Sequence, residues 1–411
     1  MTRRTPTGRR LAAAAVAAAA AALSLPTAAS ASTLTYEGPS GNEVLVFRAA
    51  PGEANSLSVQ HGPIDESVKL YEGSRVTLTS VPEQCSDHHA DGWVDCHAPN
   101  GLRLELGDGD DRVTTSLDVD IPTTMLGGPG NDQLQGNGQA NTLSGEDGTD
   151  ILDGAGGDDV LDGGAGNDTL DGYAGRDRLQ GGPGDDLLMP DHYETPSADV
   201  VDGGPGVDRI ESDYSTRVTD DVEPPLSFTL NGGADDGRPG EGDDVQGVER
   251  FVLSKGVTRF QGTDAAEYVK LQQVGDPGTL SGAGGDDEIR GGDGADTIDG
   301  GSGADTIDGG FGDDTITGGP GRDRISADLA GGDCGPLWCK YPYGNDVVLV
   351  RDGEVDSVTC GAGTDRVVAD ADDVVAPDCE QVERSGGTTP VPGPGPGPGP
   401  GPGPGPGPTT C

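Results

Sequence analysis

The chain is poor in aromatic substance: two Trp, five Phe and eight Tyr make up 4% of its 411 residues. That is too little bulk for the wide core of an ordinary globular enzyme of this length. Basic residues are scarce as well, 25 Lys+Arg against 72 Asp+Glu, for a net charge of −47. With no basic face, nucleic acid is not an expected partner. There are five histidines, and there is no Gly-x-Ser-x-Gly elbow, no His-Glu-x-x-His and no phosphate-binding Gly-Lys-Ser/Thr, so no enzyme is expected. Beyond residue 31 no apolar run approaches the roughly 20 residues of a spanning helix, and no membrane span is expected.

What is abundant is glycine (73) and proline (31), together about a quarter of the chain, where aperiodic sequences read as disordered. A charge of −47 also pushes a compact state apart unless counter-ions belong to it. Two classes survive these exclusions: a disordered acidic polymer, or a fold that includes cations.

Residues 1–31 read as a secretory signal peptide. Arg3, Arg4, Arg9 and Arg10 precede an apolar stretch from Leu11 to Leu25, and Ala29-Ser30-Ala31 is a small-residue cleavage site. Arg9-Arg10 leaves a twin-arginine route open beside the general one. Seven cysteines fit an oxidising compartment, and three local pairs suggest themselves: Cys85 with Cys96, Cys334 with Cys339, and Cys360 with Cys379. Cys411, left over after a Gly-Pro tract, is expected either to pair between chains or to lead into a further segment. Cys85, His88, His89, Cys96 and His97 are also zinc-ligand types, but their spacing follows no finger pattern and a disulfide is the simpler reading.

The middle of the chain is periodic. A nine-residue unit runs without a gap from Gly127 to Met189, recurs once from Gly203 to Glu211, and returns from Gly282 to Ser326. Gly163-Gly164-Ala165-Gly166-Asn167-Asp168-Thr169-Leu170-Asp171 is its fullest copy, and Gly107-Asp108-Gly109-Asp110-Asp111-Arg112-Val113 is a shortened forerunner. Glycine at the first, second and fourth places permits a tight turn that exposes carbonyl oxygens. Aspartate at the sixth place sets a carboxylate beside them, and an all-oxygen ligand set of this kind suits Ca2+. Places seven to nine form a short strand whose centre points inward. That column is Leu134, Leu143, Leu152, Leu161, Leu170, Leu179 and Leu188, then Ile289, Ile298, Ile307, Ile316 and Ile325, one aliphatic per unit for a narrow core.

These units resemble the RTX nonapeptide, the hemolysin-type calcium-binding repeat G-G-x-G-x-D-x-U-x. The resemblance implies an all-β fold: a right-handed parallel β-roll, a β-helix solenoid, in which two nonamers complete one coil and Ca2+ sits between neighbouring turns on each side. It also implies the metal-binding residues. These are Asp132, Asp150, Asp159, Asp168, Asp177, Asp186 and Asp208, then Asp287, Asp296, Asp305, Asp314 and Asp323, with Asp111 in the forerunner. Asn141 takes that place in the loosest copy and departs from the pattern. The layout ahead of Gly107, with its cysteine pair, resembles secreted actinobacterial calcium-binding proteins of this class.

The expected organisation follows: signal peptide 1–31, a small β cap 32–106, a first roll block 107–211, a degenerate solenoid insertion 212–281, a second block 282–326, a C-terminal cap 327–389 with a disulfide, and a Gly-Pro tail 390–411. Pro190 to Ala198, with His192 and Tyr193, reads as a loop thrown out from the solenoid. The expected function is that of a secreted, non-enzymatic calcium-ion-binding protein whose repeats fold on Ca2+ binding. The alternative is a calcium-stiffened adhesin or matrix protein in contact with cell envelope or polysaccharide.

Overall fold

The computed structural model describes residues 32–384 apart from 63–66, 73–77, 89–90, 99, 191–196, 213–225, 231–232, 234–235, 237–241, 254–256, 273–276 and 329–343. Residues 1–31, read above as a signal peptide, and Cys334 and Cys339, expected to pair, lie outside the described residues, as do His192, Tyr193, the Gly-Pro tail and Cys411.

Among the described residues there is no α-helix, and most strands are three to six residues long. Within the repeats each strand presents its middle residue inward, as in Ile151–Asp153 and Thr297–Asp299. All twelve aliphatics of the expected column are 1% exposed or less. The coils stack because the turns are nearly bare. Gly148 has φ +154°, and a Cβ there would lie 1.5 Å from the carbonyl oxygen of Gly130 in the preceding coil. Only glycine admits that approach.

Register shows two nonamers per coil. Leu134 lies opposite Leu152 and Leu152 opposite Leu170 on one face, while Leu143 lies opposite Leu161 on the other. One face is an unbroken parallel ladder from Arg112–Thr115 to Val374–Val375. The opposite face is divided. One of its sheets runs from Leu102–Glu105 to Asp244–Gln246, and the other from Leu226–Thr229 to Gln381–Arg384. Where they meet, the Asp236 carboxylate accepts the amides of Thr229 and of Val245, the latter at 3.1 Å. The core there changes from aliphatic to aromatic: Phe251 has its ring centroid 5.6 Å from Phe228 and 5.0 Å, edge-on, from Phe260.

Antiparallel strands cover the N-terminal end of the roll. Ser32–Glu37 pairs with Val44–Arg48, which starts the divided face, and Ser56–His61 starts the unbroken face while pairing with Ser67–Glu72. Such pairing removes the free edges that a solenoid would otherwise expose. The C-terminal cap is built as further coils, with Val347–Val350, Ser357–Thr359 and Arg366–Ala369 extending the ladders. Disulfides join Cys85 to Cys96 and Cys360 to Cys379. The first one corrects the zinc reading, since both thiolates are consumed and His88 stacks on Trp93 at 3.7 Å between centroids.

Candidate metal centres along the roll

Each sixth-place aspartate ends a glycine turn and immediately precedes a strand, so coil stacking lines these residues up. Asp150 shows the arrangement. Its amide donates to Asp168 Oδ1 at 2.8 Å, and its own Oδ1 accepts the Asp132 amide at 2.7 Å. Its Oδ2 is buried with no hydrogen-bond partner. That oxygen faces the first-place glycine: a Cβ on Gly145 would lie 2.2 Å from Asp150 Oδ2 and 2.5 Å from the Gly163 carbonyl oxygen of the next coil. A carboxylate oxygen and a backbone carbonyl thus converge on a cradle that only glycine leaves open.

The cradles form two series, one before each face. Beside the unbroken face the amide-to-carboxylate chain links Asp111, Asp132, Asp150, Asp168, Asp186 and Asp208, then passes to Glu249. It resumes at Glu267 and runs through Asp287, Asp305, Asp323 and Asp356 to Asp373. Beside the divided face it links Asn141, Asp159, Asp177, Asp199 and Asp243, and then Asp296, Asp314, Asp346, Asp365 and Glu380. All thirteen expected aspartates therefore lie in these series. Among the described residues no three acidic, histidine or cysteine side chains gather around one point. Each cradle brings a carboxylate and backbone carbonyls rather than a carboxylate cluster.

The neighbouring fifth place shows what the sixth is not. Asp110, Asn131, Asp158, Asn167 and Asp286 each accept the fifth-place amide of the following coil at 2.8–3.1 Å. Asn serves there as well as Asp, and the side chains are exposed, so hydrogen bonding alone accounts for them. At the sixth place a neutral acceptor would do the same job. Instead an acid is kept, and its second oxygen is buried without a partner in Asp132, Asp159, Asp186, Asp287 and Asp314, among others.

An unpaired buried carboxylate oxygen is costly. Burial pushes Asp132 up to about 7, with the charges of Asp111 and Asp150 adding to the effect. Burial likewise takes Asp186 and Asp323 to about 7, and Asp314 to about 9. A hard cation held by the free carboxylate oxygens and the glycine carbonyls removes that cost, and the donor set is the oxygen-only one that Ca2+ takes.

Asn141 closes its own cradle. Its Nδ2 donates to Gln139 O at 2.6 Å, Gly154 O at 3.2 Å and Asp159 Oδ1 at 3.0 Å, so an amide occupies the space where a cation would be held. Asn55 does the same at the start of the other series, donating to Leu106 O at 3.0 Å and Asp111 Oδ1 at 2.9 Å. An asparagine therefore seals the N-terminal end of each series.

Sequence reading missed Asp199, Asp243, Glu249, Glu267, Asp346, Asp356, Asp365, Asp373 and Glu380. The glycines that frame the nonamer are lost around most of them, but an acid followed two residues later by a buried Val or Phe survives in Asp199–Val201, Glu249–Phe251, Asp346–Val348 and Asp365–Val367. That remnant was the available signal.

The family model of the RTX calcium-binding nonapeptide repeat matches four times, at residues 126–161, 153–188, 277–307 and 299–329. No match to the chain was found among curated proteins. Each matched segment contains cradles of this kind, and the chain thereby carries RTX, hemolysin-type calcium-binding nonapeptide repeats, folded as a parallel β-roll.

Proposed function

We propose that the chain is an exported, non-enzymatic protein whose roll folds when Ca2+ enters the two series of cradles, with the sixth-place aspartates from Asp111 to Asp323 as carboxylate ligands and Asp346, Asp356 and Asp365 extending the set. The buried, unpartnered Oδ2 atoms carry this reading. A fold that buries so many lone carboxylate oxygens is unstable by itself, so cation binding free energy becomes folding free energy. Export is supported by the basic, apolar and small-residue parts of residues 1–31. Calorimetric titration of Ca2+ into chelator-treated protein, with light scattering before and after, tests it. Binding of many ions per chain with compaction is expected; one or two ions with unchanged dimensions would contradict it.

A second reading, a surface or matrix component, is favoured by one observation. Five basic residues of this acidic chain stand on one stretch of the unbroken face.

A further inference from the structure

Because register is kept from coil to coil, side chains pointing out of the unbroken face form two columns. In the second half of the roll one column runs Arg209, Arg250, Tyr268, Glu288, and the other Lys270, Arg290, Asp308, Ser326. With Arg324, five of the chain's 25 basic residues stand on this strip. In the first half of the same face Arg112 starts the first column, and the matching positions after it, Gln133, Ile151, Thr169 and Leu187, and Gln135, Asp153, Asp171 and Met189, hold no cation.

The cations are arranged for more than mutual neutralisation. Arg290 pairs with Glu288 at 2.6 Å and Arg209 with Glu211 at 3.1 Å, whereas Arg250, Lys270 and Arg324 make no ion pair among the described residues. The Arg250 guanidinium lies over the Tyr268 ring at 4.2 Å, and Arg290 approaches the same ring at 5.9 Å. Beside them lies a trough of about 260 Å³ lined by Arg290, Thr306, Asp308, Arg324, Ser326 and Thr359. Its floor is parallel sheet in register, so its polar groups recur at the strand spacing of about 4.8 Å.

Guanidinium groups recognise carboxylates by paired hydrogen bonds, and hydroxyls with a carboxylate between them suit vicinal sugar hydroxyls. A polynucleotide, with a charge on every residue, meets the repulsion of a −47 chain with only this strip to offset it. A polymer with sparser charge and many hydroxyls fits better. We propose that this strip is a binding site for a polysaccharide bearing carboxylate sugars, laid along the roll axis over Tyr268 and the trough; the proposal rests on the surface-component reading above.

The test uses the full chain in excess Ca2+ with three probes: hyaluronan, neutral dextran and poly(dT). Hyaluronan is expected to retard the protein in affinity electrophoresis. Arg290→Ser combined with Arg324→Ser should weaken that binding at least fivefold, Lys270→Ser should weaken it less, and Arg112→Ser at the far end of the same face should leave it unchanged. Circular dichroism of each variant with and without Ca2+ separates loss of the strip from loss of the fold. Hyaluronan binding that is absent, that is unaffected by all these changes, or that is matched by dextran or poly(dT) would overturn the proposal. If Ca2+-dependent folding persists in that case, the metal reading stands without it.

Discussion

At the scale of a residue, the difference between a carboxylate and an amide decides whether a cradle takes an ion. Asn141 fills its cradle with its own Nδ2, and Asp150 leaves the equivalent space to a cation. Asn141→Asp should therefore add calcium to the calorimetric stoichiometry, and Asp150→Asn should remove at least one ion while keeping its acceptor for the Asp132 amide. The same stoichiometry for both variants would show that these residues are not ligands. Backbone strain gives a second prediction at this scale. Ala155 holds φ +73° at a place where most copies have glycine, so Ala155→Gly should stabilise the calcium-bound fold by about 0.5–1 kcal/mol. Gly148→Ala, which drives a Cβ into Gly130 O, should cost about 2 kcal/mol or more. Chemical denaturation in saturating Ca2+ reads both.

At the scale of an element, the coils divide by what holds them. A repeat coil buries one small aliphatic per nonamer and depends on its ions, whereas the coil around Phe228, Phe251 and Phe260 adds aromatic rings to the same continuous core and the antiparallel cover at the N-terminus adds further apolar residues and a disulfide. In chelator, amides of Val68, Leu70 and Val94 in that cover should keep measurable hydrogen-exchange protection while those of residues 127–189 lose it. Uniform loss along the chain would contradict this division. Phe251→Ala should cost roughly 3–5 kcal/mol in calcium, more than truncation of Leu170.

The ladders also explain what could be read from sequence. The inward column from Leu134 to Ile325 and the framed aspartates were legible because a nine-residue period repeats both the turn glycines and the strand centre. The coils at Asp199, Asp346 and Asp365 were not, because intervening segments break the period. The step from Asp186 to Asp208 is 22 residues and that from Asp314 to Asp346 is 32, against 18 inside a block. The backbone ladder tolerates such excursions, since residues added in a turn leave the register of the next strand intact. The division of one face, and the Asp236 carboxylate that ties its halves, left no periodic trace at all.

At the scale of the whole molecule, the fold buries the sixth-place share of a net charge of −47. In chelator the sixth-place carboxyls of the folded roll hold protons to about pH 6 in Asp150 and about 7 in Asp132, while in an unfolded chain such groups ionise near 3.9. The folded state then binds more protons between those limits, so its stability falls as pH rises from about 4 to about 7. Chelated protein should gain β-structure on acidification from pH 7.5 to pH 4.5. In the presence of Ca2+ the trend should reverse, because protons compete for the same oxygens. A chelated chain more structured at pH 7.5 than at pH 4.5 would contradict this sign.

Far-UV circular dichroism of chelator-treated protein during Ca2+ titration at pH 7.5 puts the central claim to its most direct test. If the buried carboxylates require their cation, the spectrum changes from one dominated by disorder to one rich in β-structure as Ca2+ reaches the millimolar range, and chelator reverses it. A spectrum already β-rich in chelator and unchanged by Ca2+ would show that the roll stands without the ion.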